Sequence, residues 1–242
     1  MTADVEPDNR RPKRRLNAAA ILQGAVHIAA WVPLAALTLD YVRTGLGANP
    51  IQAITLRTGK TALILLVLSL ACTPLANLGW RGAVRLRRPL GAYAFVYVAL
   101  HFLTFIGLDY GFNLRFLRDG LIEKPFALVG LAAGLLLLPL ALTSTRASMK
   151  RLGRNWRRLH ALVYIVAPLV IVHYVWQVKA DYRQPLLYGA IVALLFVLRL
   201  PPVRRAAARV GARPRSSLAM ARSHERPRST FAHTLPPPKG MG

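Results

Sequence analysis

Six stretches of mostly apolar residues dominate the chain, at roughly 19–42, 60–78, 90–108, 125–143, 159–178 and 186–200. A helix needs about 20 such residues to cross the hydrocarbon of a bilayer. All six reach or approach that length, the last leaning on its flanks. Each is rich in Leu, Ala and Val, and none alternates polar and apolar residues as a barrel strand does. Backbone polar groups are satisfied in lipid only by helices or closed barrels. The expectation is an all-α polytopic bundle of six transmembrane helices. At 54% hydrophobic over 242 residues, with a positive mean hydropathy, the chain is too apolar for an ordinary soluble domain.

The formal charge of +24 would suit a nucleic-acid ligand, but its placement argues for topology. Arg10, Arg11, Lys13, Arg14 and Arg15 precede the first apolar stretch, and Arg81, Arg85, Arg87 and Arg88 follow the second. Arg146, Lys150, Arg151, Arg154, Arg157 and Arg158 follow the fourth, and basic residues from Arg199 to Lys239 follow the sixth. The alternate loops, 43–58, 109–124 and 179–184, are sparsely basic or charge-balanced. Basic clusters on every second side are the positive-inside pattern. It places both termini in the cytoplasm, assigns the charge to topology and anionic membrane lipid, and leaves no call for nucleic acid.

Three segments follow. Residues 1–18 are a basic cytoplasmic N-terminal segment, 19–200 the helical bundle, and 201–242 a basic tail expected to be disordered. The first apolar stretch is too long for a signal peptide, carries Pro33 and lacks a clear small-residue cleavage site, so it reads as a retained helix. Cys72 is the only cysteine, which excludes an internal disulfide, covalent c-type haem attachment and a cysteine-ligated cluster. No G-x-G-x-x-G or Walker pattern occurs.

Four histidines fall in or beside the apolar stretches: His27, His101, His160 and His173. Ionisable groups within a membrane are costly and are functional candidates, although a lone imidazole can simply hydrogen-bond a neighbouring helix. His101 and His173 make a joint case. Their helices run in the same direction, and at 1.5 Å per residue the two lie about 17 and 21 Å from the cytoplasmic side. Two parallel helices presenting imidazoles at one level can clamp an iron, and bis-histidine ligation favours electron transfer over oxygen chemistry. Gly91, Ala92, Ala94, Ala99 and Ala167 either leave room for a macrocycle or only let helices approach. His160 stands near the cytoplasmic edge with no histidine partner at its depth. Arg87 lies near the face of His101, and Arg87 and Arg88 either meet an anionic cofactor group or serve as interfacial anchors.

Several segments carry a resemblance: GANPIQAITLRTGKTAL at 47–63, LACTPLA at 70–76, LRRPLGAYAFVYVALHFLTF at 86–105, LALTSTRASMKRLGRNWRRLHALVYIVA at 140–167, and HYVWQVKAD at 173–181. In this order, spanning about 20–200, they resemble the haem-binding membrane subunit family of the bacterial periplasmic protein-methionine-sulfoxide reductase system, part of the wider ferric-reductase-like transmembrane group. The resemblance implies a six-helix bundle of the bacterial inner membrane holding b-type haem, with flavin mononucleotide (FMN). It implies electrons drawn from the quinone pool and passed to a periplasmic molybdopterin-containing catalytic subunit that reduces methionine sulfoxide in proteins. His101, His160 and His173 stand where the family places its haem histidines. Larger relatives carry a second histidine on the third helix, where this chain has Arg87 or Arg88.

The reading is thus an electron-transfer subunit rather than the catalytic one. His101 and His173 are its axial ligands, and His160 is a further ligand or a residue at the flavin–haem junction. The basic edge with Arg87, Arg88, Arg154 and Trp156 is the candidate flavin region. The alternatives are a stand-alone ferric or oxygen reductase and a non-redox transporter or anchor. The lack of a nucleotide-binding pattern counts against the first. For the second, only Asp40, near an outer helix end, is acidic within an apolar stretch.

Overall fold

The computed structural model describes residues 18–205; residues 1–17 and 206–242, and with them most of the two expected terminal segments, lie outside it. The described residues are helical throughout, without strands. The long apolar helices are α1 (Ala18–Thr44), α2 (Pro50–Asn77), α3 (Arg87–Leu103), α5 (Pro125–Leu142) and α8 (Val163–Gln177). Shorter ones are α4 (Leu114–Glu123), α6 (Arg146–Leu152), α7 (Arg154–His160) and α9 (Arg183–Val197). Counted with the helical turns that extend them, five stretches are long and apolar enough to cross a membrane: 20–44, 50–77, 87–109, 125–142 and 154–177. The sixth, α9, has 15 residues, about 22 Å of helix. The chain is a multi-pass membrane protein.

Helix starts follow local chemistry. The Asn49 side chain accepts from the Gln52 N–H and Pro50 takes the first helical position, so α2 begins at a strong N-terminal signal. Loop 43–58 is accordingly shorter than its composition suggests: residues 50–58 belong to α2. The 109–124 loop likewise contains a helix, α4, started by the Asn113 side chain on the Arg115 and Phe116 N–H groups. Between α6 and α7, Gly153 turns the chain at φ 49°, a left-handed conformation that favours glycine.

The two closest helix pairs are α2 with α3 and α5 with α8, and contacts between α3 and α5 join them. Small or fully buried residues let the backbones approach: Ala94 on α3, and Val166 and Ala167 on α8, are 0–1% exposed. Ala94 and Ala167 therefore serve helix packing, and Gly91 faces the Ser69 hydroxyl across the α2–α3 contact. α2 is the most buried span and α1 the least. Trp31, Val42, Leu135 and Trp176 are exposed, as expected for surfaces that meet lipid.

Prolines inside the spans free carbonyls, because a proline has no N–H for the residue four before it. Pro74 removes the partner of the Leu70 carbonyl, and Arg199, just beyond α9, donates Nη2 to that oxygen at 2.5 Å. Separately, the Tyr97 hydroxyl of α3 donates to the Ala30 carbonyl of α1 at 2.7 Å and ties the two helices together. At Leu70, then, a side chain from beyond a neighbouring helix satisfies the carbonyl the proline frees.

Candidate metal centre

His101 on α3 and His173 on α8 meet between the two helix pairs, with ring centroids 6.2 Å apart and planes at 83°. Each is fixed in the same way. His101 Nδ1 lies 2.9 Å from the Thr55 carbonyl of α2, and His173 Nδ1 lies 2.7 Å from the Phe126 carbonyl of α5. A carbonyl only accepts, so both Nδ1 atoms carry the proton and both Nε2 atoms keep a free lone pair. Tying one ring nitrogen in this way is how metal-binding imidazoles are oriented.

The same two neighbours supply the space. Thr55 and Phe126 stand four residues before Gly59 and Gly130, so each imidazole lies across a glycine and bonds the carbonyl one turn earlier. A Cβ on Gly59 would sit 3.1 Å from His101 Cε1 and Nδ1, and one on Gly130 would sit 2.7 Å from His173 Cε1. A side chain at Gly130 would force the His173 ring to shift, and one at Gly59 would make the His101 ring give by a few tenths of an ångström. These glycines, rather than the small residues on α3 and α8, make the cradle. Directly after His101 the chain widens into a π-helical turn, Thr104–Asp109, a distortion often found at functional sites.

The pair fits a haem iron. A metal–imidazole nitrogen bond is about 2.0 Å, and adding about 1 Å from nitrogen to ring centre on each side puts two such centroids roughly 6 Å apart. Two imidazoles with ring centres 6.2 Å apart and Nε2 lone pairs unspent match that spacing. Among the described residues no group of three or more His, Cys, Asp or Glu side chains could hold a metal, so a two-ligand centre completed by a macrocycle matches the donor set.

His160 lies elsewhere, toward the other end of the bundle. Trp156 stacks on it, with centroids 4.1 Å apart at 28°, and donates Nε1 to the Thr143 carbonyl at 3.0 Å. The Thr143 hydroxyl lies 2.6 Å from the Pro139 carbonyl and 3.2 Å from His160 Nε2. Its one proton goes to the carbonyl, so His160 Nε2 is the donor in the second bond. His160 therefore carries its proton on the nitrogen opposite to that of the outer pair. The Arg87 guanidinium is close enough to act on His160, Cys72 and Arg199. Arg88 and Arg154 are exposed. The structure thus brings His101 and His173 together, groups His160, Trp156 and Arg87 at the other end, and leaves Arg88 and Arg154 on the surface.

A membrane bundle of helices with two paired imidazoles near one end has the donor set of a haem-carrying membrane protein. The sequence profile described as "Ferric reductase like transmembrane component" matches residues 58–171. The protein-methionine-sulfoxide reductase heme-binding subunit MsrQ of Herminiimonas arsenicoxydans is 44% identical over 184 residues, 74% of this chain and 84% of the relative. That of Rhodospirillum rubrum is 46% identical over 184 residues, 75% and 88% of the two chains. That of Caulobacter vibrioides is 40% identical over 207 residues, 85% and 98%. The chain belongs to this family of haem-binding subunits of protein-methionine-sulfoxide reductase, within the ferric-reductase-like transmembrane proteins.

Proposed function

We propose that this chain is the transmembrane electron-transfer subunit of a protein-methionine-sulfoxide reductase system, and that His101 and His173 are the axial ligands of its b-type haem. The observation that carries the assignment is the pair of imidazoles, each with Nδ1 bound to a main-chain carbonyl and Nε2 free, with ring centres 6.2 Å apart. Haem supplies one-electron carriage; the protein fixes both ligands before the iron arrives and leaves no third side-chain ligand beside it. The test is the visible spectrum of the purified protein and of its variants. His101→Ala and His173→Ala should each lose the haem or turn it five-coordinate, and the apoprotein should still insert. Unchanged haem content and low-spin spectra in both variants would refute the assignment.

The rest of the reading extends from that centre. Six crossings, α9 included, put both termini in the cytoplasm of a bacterium and the His101–His173 pair near the periplasmic face of the inner membrane. Electrons come from the quinone pool and leave to a periplasmic molybdopterin-containing catalytic subunit. FMN belongs at the inner basic edge, where exposed Arg88 and Arg154 are available to a phosphate and Arg87 and Trp156 adjoin His160. The Nε2–H of His160, spent on Thr143, supports a place for His160 at that flavin edge over a place on an iron. His160→Ala should then keep the full haem content and lose flavin; partial haem loss would make His160 a ligand.

A further inference from the structure

His27 on α1 faces outward from the bundle, exposed where lipid lies. Its Nδ1 is 2.9 Å from the Tyr93 hydroxyl of α3, with the rings edge to face, centroids 5.6 Å apart at 70°. Trp31, one turn further along α1, meets the same tyrosine edge to face at 6.2 Å and 80°. His27 Nε2 has no hydrogen-bond partner among the described residues. A polar nitrogen turned towards hydrocarbon with nothing to bond is costly, so the arrangement calls for a lipid-soluble molecule with a polar head. Beside it, starting at Trp31, a shallow, open apolar groove of about 510 Å³ runs along one face of α1, lined by Trp31, Leu34, Ala35, Thr38, Leu39 and Val42.

We propose that His27, Tyr93 and Trp31 form a binding site for a quinol or quinone. The head group bonds His27 Nε2 through its hydroxyl or carbonyl oxygen and packs against the Trp31 edge, and the isoprenoid tail lies in the groove. The imidazole suits both redox forms, because it accepts from a quinol hydroxyl as one tautomer and donates to a quinone carbonyl as the other. Tyr93, which both donates and accepts, follows either tautomer at Nδ1. The hydrogen-bonding pair carries no fixed charge, which favours a neutral ring over a phospholipid phosphate. The site is also well placed. Tyr93, Tyr97 and His101 stand at i, i+4 and i+8 on one face of α3, so Tyr93 is about 12 Å along the helix from His101. The proposal rests on the reading that quinol is the electron source, and it names where that quinol binds.

The test uses the haem-loaded protein in lipid nanodiscs and two measurements. In the first, a photoreactive azido-ubiquinone is competed with decylubiquinol and the labelled peptides are mapped. Label is expected on the stretches holding His27–Trp31 and Tyr93, lost on competition and in His27→Ala. In the second, haem reduction by decylubiquinol is followed by absorbance. Loss of one hydrogen bond should raise the half-saturating quinol concentration about tenfold in His27→Ala. A smaller rise is expected in Tyr93→Phe and partial rescue in His27→Gln, while dithionite reduces the haem fully in every variant and the oxidised spectrum stays unchanged. Label mapping elsewhere, label displaced only by phospholipid, or a wild-type half-saturation in His27→Ala would each overturn the site. If decylubiquinol fails to reduce wild-type haem while the label maps to His27, the electron-source reading falls and the site stands.

Discussion

Gly130→Ala is the sharpest probe of the proposed metal centre, because it adds one methyl group and leaves both histidines in place. The new Cβ would stand 2.7 Å from His173 Cε1 and 2.8 Å from Nδ1. Ordinary contact begins at 3.4 Å, so the imidazole must retreat by about 0.7 Å or turn. It has little freedom to do so, since Nδ1 is held 2.7 Å from the Phe126 carbonyl on the same helix. Either the bond stretches or the ring swings away from His101. Overpacking of this kind costs about 1–3 kcal/mol, offset by roughly 1 kcal/mol from replacing a helix glycine with alanine. Global stability should therefore fall by no more than about 2 kcal/mol. Haem should respond more strongly: disturbing a hydrogen bond behind a metal ligand costs about 10–100-fold in affinity. Haem titration into apoprotein, read at the Soret band, is the assay, with thermal unfolding in detergent as the control. Gly24→Ala, where an added Cβ meets nothing within 4 Å, should bind haem as the wild type does. A Gly130→Ala protein with wild-type haem affinity and a wild-type low-spin spectrum would refute the cradle.

Four further outcomes follow from the same structure. Arg199→Met should destabilise the bundle by about 1–3 kcal/mol by leaving the Leu70 carbonyl without a donor, and the loss should shrink in a Pro74→Ala background, where residue 74 regains its N–H; equal losses in both backgrounds would disprove the repair. A reporter joined after Arg204 should act on the cytoplasmic side, and periplasmic activity there would reverse every depth assigned above. Thr143→Val should release the His160 ring and alter flavin content without lowering haem content, as a pyridine haemochrome assay would record. The Lys124 ammonium, hydrogen-bonded to the Tyr110 hydroxyl at 3.0 Å, is held above the usual lysine range chiefly by that bond. With the folded-state value raised, its contribution to ordering the outer loop is complete below the ordinary lysine value near 10.4 and is lost as pH rises through the folded value, which amide exchange of the 110–124 segment would report.

What could be read ahead of the structure depended on how local the cause was. Apolar runs located six helices, five of them long and apolar enough to cross a membrane, because hydropathy acts through the bilayer. The depth argument that paired His101 with His173 needed only helix direction and rise. The start of α2 was missed by ten residues because Gln52, Thr55, Arg57 and Lys60 depress its hydropathy, although Asn49-Pro50 is a sound start signal. The small residues singled out for the macrocycle were those beside the histidines in sequence. The glycines that matter sit on the partner helices, and their choice depends on how each helix is rotated against its neighbour, which hydropathy does not encode. The tautomer of His160 was equally hidden, since it follows from a hydroxyl 17 residues away in sequence.

The centre is therefore as much a property of α2 and α5 as of the helices that bear its histidines. α2 offers the Thr55 carbonyl to His101 near its outer end, takes Arg199 on its Leu70 carbonyl further in, and sends the Ser69 hydroxyl to the Arg87 carbonyl at 2.9 Å. One buried helix thus ties the first turn of α3, the His101 end of α3 and the end of α9 into one frame. α5 does the same for α8 at the outer end through Phe126. A ligand held by a main-chain carbonyl cannot be freed by a side-chain change at its partner; it moves only if the partner helix shifts or a methyl group displaces the ring. Loss of haem should accordingly follow from substitutions at Gly59 and Gly130 that leave both histidines in place, and substitutions of Thr55 that spare the helix should be tolerated, whereas Phe126 also packs its ring on His173.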